Sequence, residues 1–350
     1  MSKGIGISKE QLSEDGEPCI LYGELYTKYK SEIIKQVESK TDINGSKLKR
    51  SKANDVIIPC SGETAVDIAT ARCVPFDNIL FGGDLNVISL HQYDGAFMSY
   101  QLNGKRKYDI ARVAQGVSIV HLYGEHLKAI KTYNPTLPEQ QKIAKLLSLL
   151  DDRIDTQNKI IEDLKKLKSA ISERLFKSVK GFTVLLSDLC DIVKGKQING
   201  ENLSDSGNYY VMNGGTEPSG YYDNYNVEAS TISISEGGNS CGYVQFNTSP
   251  FWSGGHCYSI QNIADKVDNM YLYHYLKSNE DAIMKLRIGS GLPNIQKKDL
   301  AMFKIIVPKI EWQIKISTFL SRVERKAEIE ERIQNVMQKQ KLYLLQQMFI

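Results

Sequence analysis

Apolar residues fall at Leu147, Leu150, Ile154, Ile161, Leu164, Ile171 and Leu175, three and four apart wherever the series is unbroken. That is a heptad seam, and the polar Gln157 and Lys168 fill its two gaps. No proline or glycine stands between Pro138 and Gly181, so the pattern predicts one helix over 138–179, on the order of 55 Å long. A single apolar stripe needs a partner surface. The stretch 309–350 carries a second seam through Leu320, Val323, Ala327, Met337, Leu344 and Met348, interrupted by Glu330, Gln334 and Lys341. The two segments are expected to pair as an antiparallel coiled coil. Gln157 and Lys168 either fix the register of that pair or lie at its solvent edge.

Outside the helices the period drops to that of strands. Short β-prone runs at Val56–Ile58, Asn86–Leu90, Thr231–Ser235 and Gly242–Phe246 sit between turn signals such as Gly82-Gly83-Asp84, Gly237-Gly238-Asn239 and Ser253-Gly254-Gly255. Helices are expected near Asn269–Leu276 and Ala96–Leu102. The chain is also written twice. An offset of 191 aligns Lys3/Lys194, Gly4/Gly195, Ile7/Ile198, Glu10/Glu201, Leu12/Leu203, Ser13/Ser204, Gly16/Gly207 and Gly23/Gly214. An offset of 173 aligns Gln140/Gln313, Lys142/Lys315, Ile143/Ile316, Leu147/Leu320, Ser148/Ser321 and Leu164/Met337, and sets Lys168 on Lys341. The expected class is α+β: two strand-rich domains, 1–137 and 180–308, alternating with two long helices, 138–179 and 309–350. The copies differ at their starts. Only the second has a lead strand, Phe182–Leu186, and a short helix-like run, Asp188–Val193, so an open edge or partly exposed core is expected in the first.

Composition narrows the class. The 350 residues, 41% apolar and 24% charged, suit two domains with cores of their own and contain no apolar run of bilayer length. The first seventeen residues have no apolar segment resembling a signal peptide, so a cytoplasmic protein is expected. Six cysteines without a Cys-x-x-Cys pair fit reduced, buried thiols rather than disulfides or a metal site. The net charge of +3 divides as +1, +2, −3 and +3 over the four segments in order, so none is strongly basic and any polyanion must be held by local clusters.

Four stretches together resemble the specificity (S) subunit of type I restriction–modification enzymes: Tyr22–Tyr29, Gln115–Ser118, Leu137–Ala144 and Leu344–Phe349. The resemblance implies two target-recognition domains, each reading one half of a split site on double-stranded DNA, held apart by the paired helices. It further implies that two modification (methyltransferase) subunits dock on the helices and that restriction subunits join them. The first copy departs from the family in lacking about a dozen residues equivalent to Phe182–Val193. The alternative is therefore a shortened specificity subunit that docks partners and reads DNA poorly.

Candidate DNA contacts follow from residue chemistry. Lys47, Lys49, Arg50 and Lys52 form one basic cluster, and Lys105, Arg106, Lys107 and Arg112 another. A charge run is more often a solvated face. In the second copy Lys194 and Lys196 precede an aromatic, amide-rich stretch in which Asn213 suits an adenine edge, and the loop 289–294 presents Ser290 and Asn294. Ordinary turn and cap roles compete for each. No catalytic residue, metal site or cofactor is expected. Asn134-Pro135-Thr136-Leu137 lacks the second proline and aromatic of the adenine methyltransferase motif, the five histidines have no acid beside them in a triad-like pattern, and no phosphate-binding loop is present.

Overall fold

Thr136 starts the first long helix. Its backbone N–H and hydroxyl both donate to the Glu139 carboxylate, half of the capping box that a Thr-x-x-Glu sequence offers, and the helix runs Leu137–Ser178. The second runs Ile310–Gln347. The computed structural model describes residues 1–44, 47–289 and 291–349; the loop candidate Ser290 lies outside the described residues. The chain forms two compact units, Met1–Lys159 with Glu331–Ile350, and Ile160–Glu330. Each unit combines one strand-rich domain with part of both helices.

In the first unit a four-stranded antiparallel sheet has the order Ser2–Lys3, Leu85–Ile88, Asp55–Pro59, Arg72–Val74. A second sheet orders Ser39–Thr41, Glu17–Ile20, Leu80–Phe81 and Lys49–Arg50, with one parallel pair, Cys19 on Leu80 and Ile20 on Phe81. The second unit repeats both devices. Its antiparallel sheet runs Asp191–Lys194, Cys257–Gln261, Thr231–Ser235, Val244–Asn247, and its parallel pair is Val211 on Trp252 and Met212 on Ser253. The repeat extends to register: Lys3 faces Asn86 on the neighbouring strand, and Lys194 faces Tyr258. The glycine after each lysine has a steric reason. A Cβ on Gly4 or Gly195 would lie about 2 Å from the carbonyl oxygen of Gly82 or Gly254, too close for any side chain.

The lead strand Phe182–Leu185 pairs with Lys304–Val307, and Leu186 and Leu189 share a core with Ile192 and Ile305. The helix-like reading of Asp188–Val193 is corrected: a 3-10 turn, Leu186–Asp188, precedes a strand, Asp191–Lys194, because the β-branched Ile192 and Val193 find ladder partners in Ile260 and Ser259. In the first unit residues 131–134, the counterpart of Lys304–Val307, form no strand. Gln101 supplies the missing ladder, its amide donating to the Tyr133 carbonyl and accepting from the Tyr133 N–H, both at 2.7 Å.

The helix seam is formed as the periodicity predicts. Leu147, Ile154 and Ile161 are buried, Leu150, Leu164, Ile171 and Leu175 half-buried; on the second helix Leu320 and Met337 are buried and Val323 and Leu344 half-buried. Pairing is antiparallel within each unit. Leu147, early in the first helix, packs with Leu345 and Phe349, late in the second. Phe176, late in the first, shares a core with Ile316 and Leu320. All six cysteines are buried and free. Among the described residues, no helix is long and apolar enough to cross a membrane.

Candidate functional site

Each unit joins its domain to the helix pair through the same side-chain clamp. In the first, Gln140 donates to the Pro135 carbonyl at 2.8 Å and accepts from the Asp94 N–H at 2.9 Å, while the Asp94 carboxylate caps the helix Gly95–Asn103 at Phe97. In the second, Gln313 donates to Pro308 at 2.9 Å and accepts from Asp268 at 2.9 Å, and Asp268 caps Asn269–Ser278 at Tyr271. An ionic contact accompanies each clamp. Asp151 takes the Tyr100 hydroxyl at 2.7 Å and the Lys341 ammonium at 2.6 Å; Glu324 takes the Tyr273 hydroxyl at 3.1 Å and the Lys168 ammonium at 2.5 Å. Tyr100/Tyr273, Asp151/Glu324 and Lys168/Lys341 are all 173 apart, so each lysine reaches across to the other helix's acid. Lys168 is thus an interhelical contact rather than a solvent-edge residue.

The charges at these joints are enclosed. Burial pulls the Lys341 ammonium down, but the carboxylates of Glu32 and Asp151 outweigh it and hold its pKa above the ordinary lysine value. In the second unit burial pushes His274 down to about 4, so it is neutral at pH 7, with Nε2 2.9 Å from the Ser321 hydroxyl.

The sequence-predicted contacts fall in three places. Lys47, Lys49, Arg50 and Lys52 flank or form the edge strand Lys49–Arg50; Lys47 and Lys52 are exposed, whereas Arg50 is held bidentately by Glu17 at 2.5 and 3.0 Å. Lys105, Arg106, Lys107 and Arg112 lie in or just before the helix Lys107–Arg112, which follows Gly104, where a Cβ would meet the Leu345 carbonyl. Asp109 lies 3.4 Å from both Arg106 and Arg112, and burial with the Arg72 charge lowers the Lys107 pKa, so Lys105 and Arg112 are the exposed members.

The third place brings candidates together, at one end of the second unit's antiparallel sheet. Lys194 binds Glu236 at 2.5 Å. Asn213 accepts from the His256 N–H at 3.1 Å, which commits one lone pair of its carbonyl oxygen to structure. Asn294 bridges to Gly237, whose neighbour Gly238 donates to Pro293. Lys196 is exposed nearby, its carbonyl taken by the Trp252 indole. Sequence reasoning missed Glu236, His256 and Tyr258 here. The signal available was Lys194, repeated as Lys3, and the glycine pairs at 237–238 and 254–255, which mark where backbones meet as well as where they turn.

The model of the type I restriction modification DNA specificity domain family matches residues 8–166 and again 181–339. A type I specificity subunit of Mycoplasma genitalium is 34% identical over 122 residues, 34% of this chain and 31% of the relative. One from Methanocaldococcus jannaschii, named a type I restriction enzyme specificity subunit, is 28% identical over 250 residues, 61% of this chain and 57% of the relative. The chain thus spans between about a third and rather more than half the length of these curated relatives. A crystal structure of a type I restriction-modification S subunit from M. genitalium superposes on 100% of this chain and 93% of its own, with a TM-score of 0.70 at 20% identity, and shares the fold.

Proposed function

Because the chain belongs to the type I restriction modification DNA specificity family, matched once in each half, we propose that it is the DNA-reading subunit of a type I restriction–modification complex. Each strand-rich domain, 1–137 and 180–308, reads one half of a split site on double-stranded DNA, and the helices 138–179 and 309–350 set the gap between the halves. The doubled joint carries this reading. Two readers at fixed spacing need a stiff connection, and a glutamine clamp with a tyrosine-to-carboxylate bond gives each domain a defined seat on the helices where a flexible linker would not. The chain is not itself an enzyme in this reading; methylation, ATP hydrolysis and cleavage belong to the modification and restriction subunits. Lys47, Lys52, Lys105, Arg112, Lys194 and Lys196 supply phosphate contacts.

A docking surface for two modification subunits is also available. Residues one position before the seam are exposed and apolar on both helices: Leu146, Leu149, Ile333, Val336 and Tyr343 in the first unit, and Ile160, Leu167, Phe319 and Ile329 in the second. In an antiparallel pair these flanks share one edge. Residues one position after the seam, such as Asp151, Leu345, Ser172 and Phe176, are buried against the domains instead.

Methylome sequencing of cells carrying this chain with its modification subunits tests the function. The expected result is a two-part motif with a constant gap; methylation without a split motif would overturn the reading. Inserting four residues within 159–168 adds roughly 6 Å of helix, and an unchanged gap at unchanged efficiency would remove the ruler role.

A further inference from the structure

One carboxylate oxygen at the end of the second unit's antiparallel sheet accepts no hydrogen bond. Glu236 follows the strand Thr231–Ser235 and is buried. Its Oε1 accepts from the Lys194 ammonium at 2.5 Å and the Tyr258 hydroxyl at 3.1 Å. Burial, and then the Glu236 charge, pushes the Tyr258 phenol upward, so that phenol stays a donor. Oε2, by contrast, is enclosed and accepts no hydrogen bond. Native proteins rarely leave a buried acceptor unmet, and one that persists points to a donor arriving from outside.

The surroundings suit such an arrival. The His256 ring stands over Oε2 with Nδ1 3.7 Å away, and it is mostly exposed, so it can move without disturbing the core. The rim is backbone and glycine: Gly214 packs on His256, Gly237 bridges to Asn294, and a Cβ on Gly238 would meet nothing within 4 Å. A nucleic-acid base edge needs such close access, and Lys194 and Lys196 sit beside it.

The first unit supplies a contrast at the equivalent place. Cys60 follows the strand Asp55–Pro59 and donates its N–H to the Asp84 carbonyl at 2.7 Å, as Glu236 donates to His256 at 2.8 Å. Asn86 bonds the Leu122 carbonyl where Tyr258 bonds that of Ile295. The frame and Lys3/Lys194 are kept, while Glu236 and His256 become Cys60 and Asp84. Two domains reading different bases through one frame call for that division between kept and changed residues.

We propose that Glu236 Oε2, uncovered when the His256 ring moves aside, accepts the exocyclic amino group of one base in the half-site read by the second unit. Cytosine N4 is the major-groove amino group a carboxylate reads best. The proposal rests on the recognition function above.

The test uses the parent chain assembled with its modification subunits. The amino-bearing bases of the second half-site are replaced one at a time by analogues lacking that amino group. Binding should fall by about tenfold or more at one position; equal binding at every position overturns the proposal. Glu236→Gln, which presents an amide donor, should move the preference at that position toward a base with a keto acceptor while the first half-site and gap stay unchanged. An identical motif from an assembled Glu236→Gln complex also overturns it. If the parent shows no split motif, the recognition reading itself fails; if it shows one and neither change matters, only the Glu236 assignment falls.

Discussion

The two units use one joint and load it differently. In the first, Lys341 answers two carboxylates, Glu32 at 2.5 Å and Asp151 at 2.6 Å, with all three side chains largely enclosed. In the second, Lys168 answers Glu324 alone, and both are somewhat more open to water. The repeat has therefore kept a role, a lysine reaching across to the other helix's acid, while its depth has changed. Depth decides the cost of breaking it, since an uncompensated buried charge is far more expensive than an exposed one. Lys341→Met, which keeps length and removes charge, should destabilise the first unit by about 3–5 kcal/mol. Lys168→Met should cost the second about 1–2 kcal/mol, because Tyr273 still donates to Glu324 and water reaches it. Denaturant unfolding of both variants checks the ranking; equal losses would mean that the second acid is idle.

A second difference lies at positions 101 and 274, again 173 apart. Gln101 does not titrate, and its amide bonds Tyr133 where the second unit has a paired strand. His274 does titrate, with a folded pKa of about 4 against the ordinary 6.5. Between those values the unfolded chain binds more protons than the folded one. Stability is complete above pH 6.5 and is lost as pH falls toward 4, by about 3 kcal/mol in the second unit. Calorimetry across that window should show the loss flattened in His274→Gln. A slope that survives the substitution would place the acid sensitivity on other groups.

How much of this was legible depends on the range of the interaction. The long helices, their seams and the antiparallel pairing follow from a period of three and four, a local signal. The doubled joint was half visible: Gln140/Gln313 stand out in the alignment, but Asp94 and Asp268 do not, since they obey an offset of 174 and act only through folding. The basic runs were legible as charge but not as contacts, because Glu17 and Asp109 come from elsewhere in the chain. Glu236 was invisible, as nothing in Ser-Glu-Gly-Gly reveals a carboxylate with one oxygen bound and the other enclosed. The Gln140 and Gln313 clamps offer a test of how equal the repeat is. Either residue changed to alanine leaves a carbonyl and an N–H of the joint, both at least partly buried, without their partner, so each variant should lose about 1–3 kcal/mol, and a gap between them wider than the measurement error would show that one joint has a relaxed alternative.

The smallest effect on the chain itself is expected at the outward flank of the seam, where the comparison is between neighbouring positions of one unit. Leu149 lies one residue before a seam position and is half-exposed; Leu345 lies one residue after and is buried beside Leu147. Only two residues of heptad phase separate their environments. Leu149→Glu should therefore change unfolding free energy by no more than about 0.5 kcal/mol, whereas Leu345→Glu, which forces a carboxylate into the Phe97–Leu147–Phe349 cluster, should unfold the joint. If the outward flank docks modification subunits, Leu149→Glu combined with Val336→Glu should leave the melting curve in place and abolish co-purification of a modification subunit. Co-purification that survives in full would move the docking surface off the helix flank, and a melting curve that collapses would show that this flank is covered within the chain.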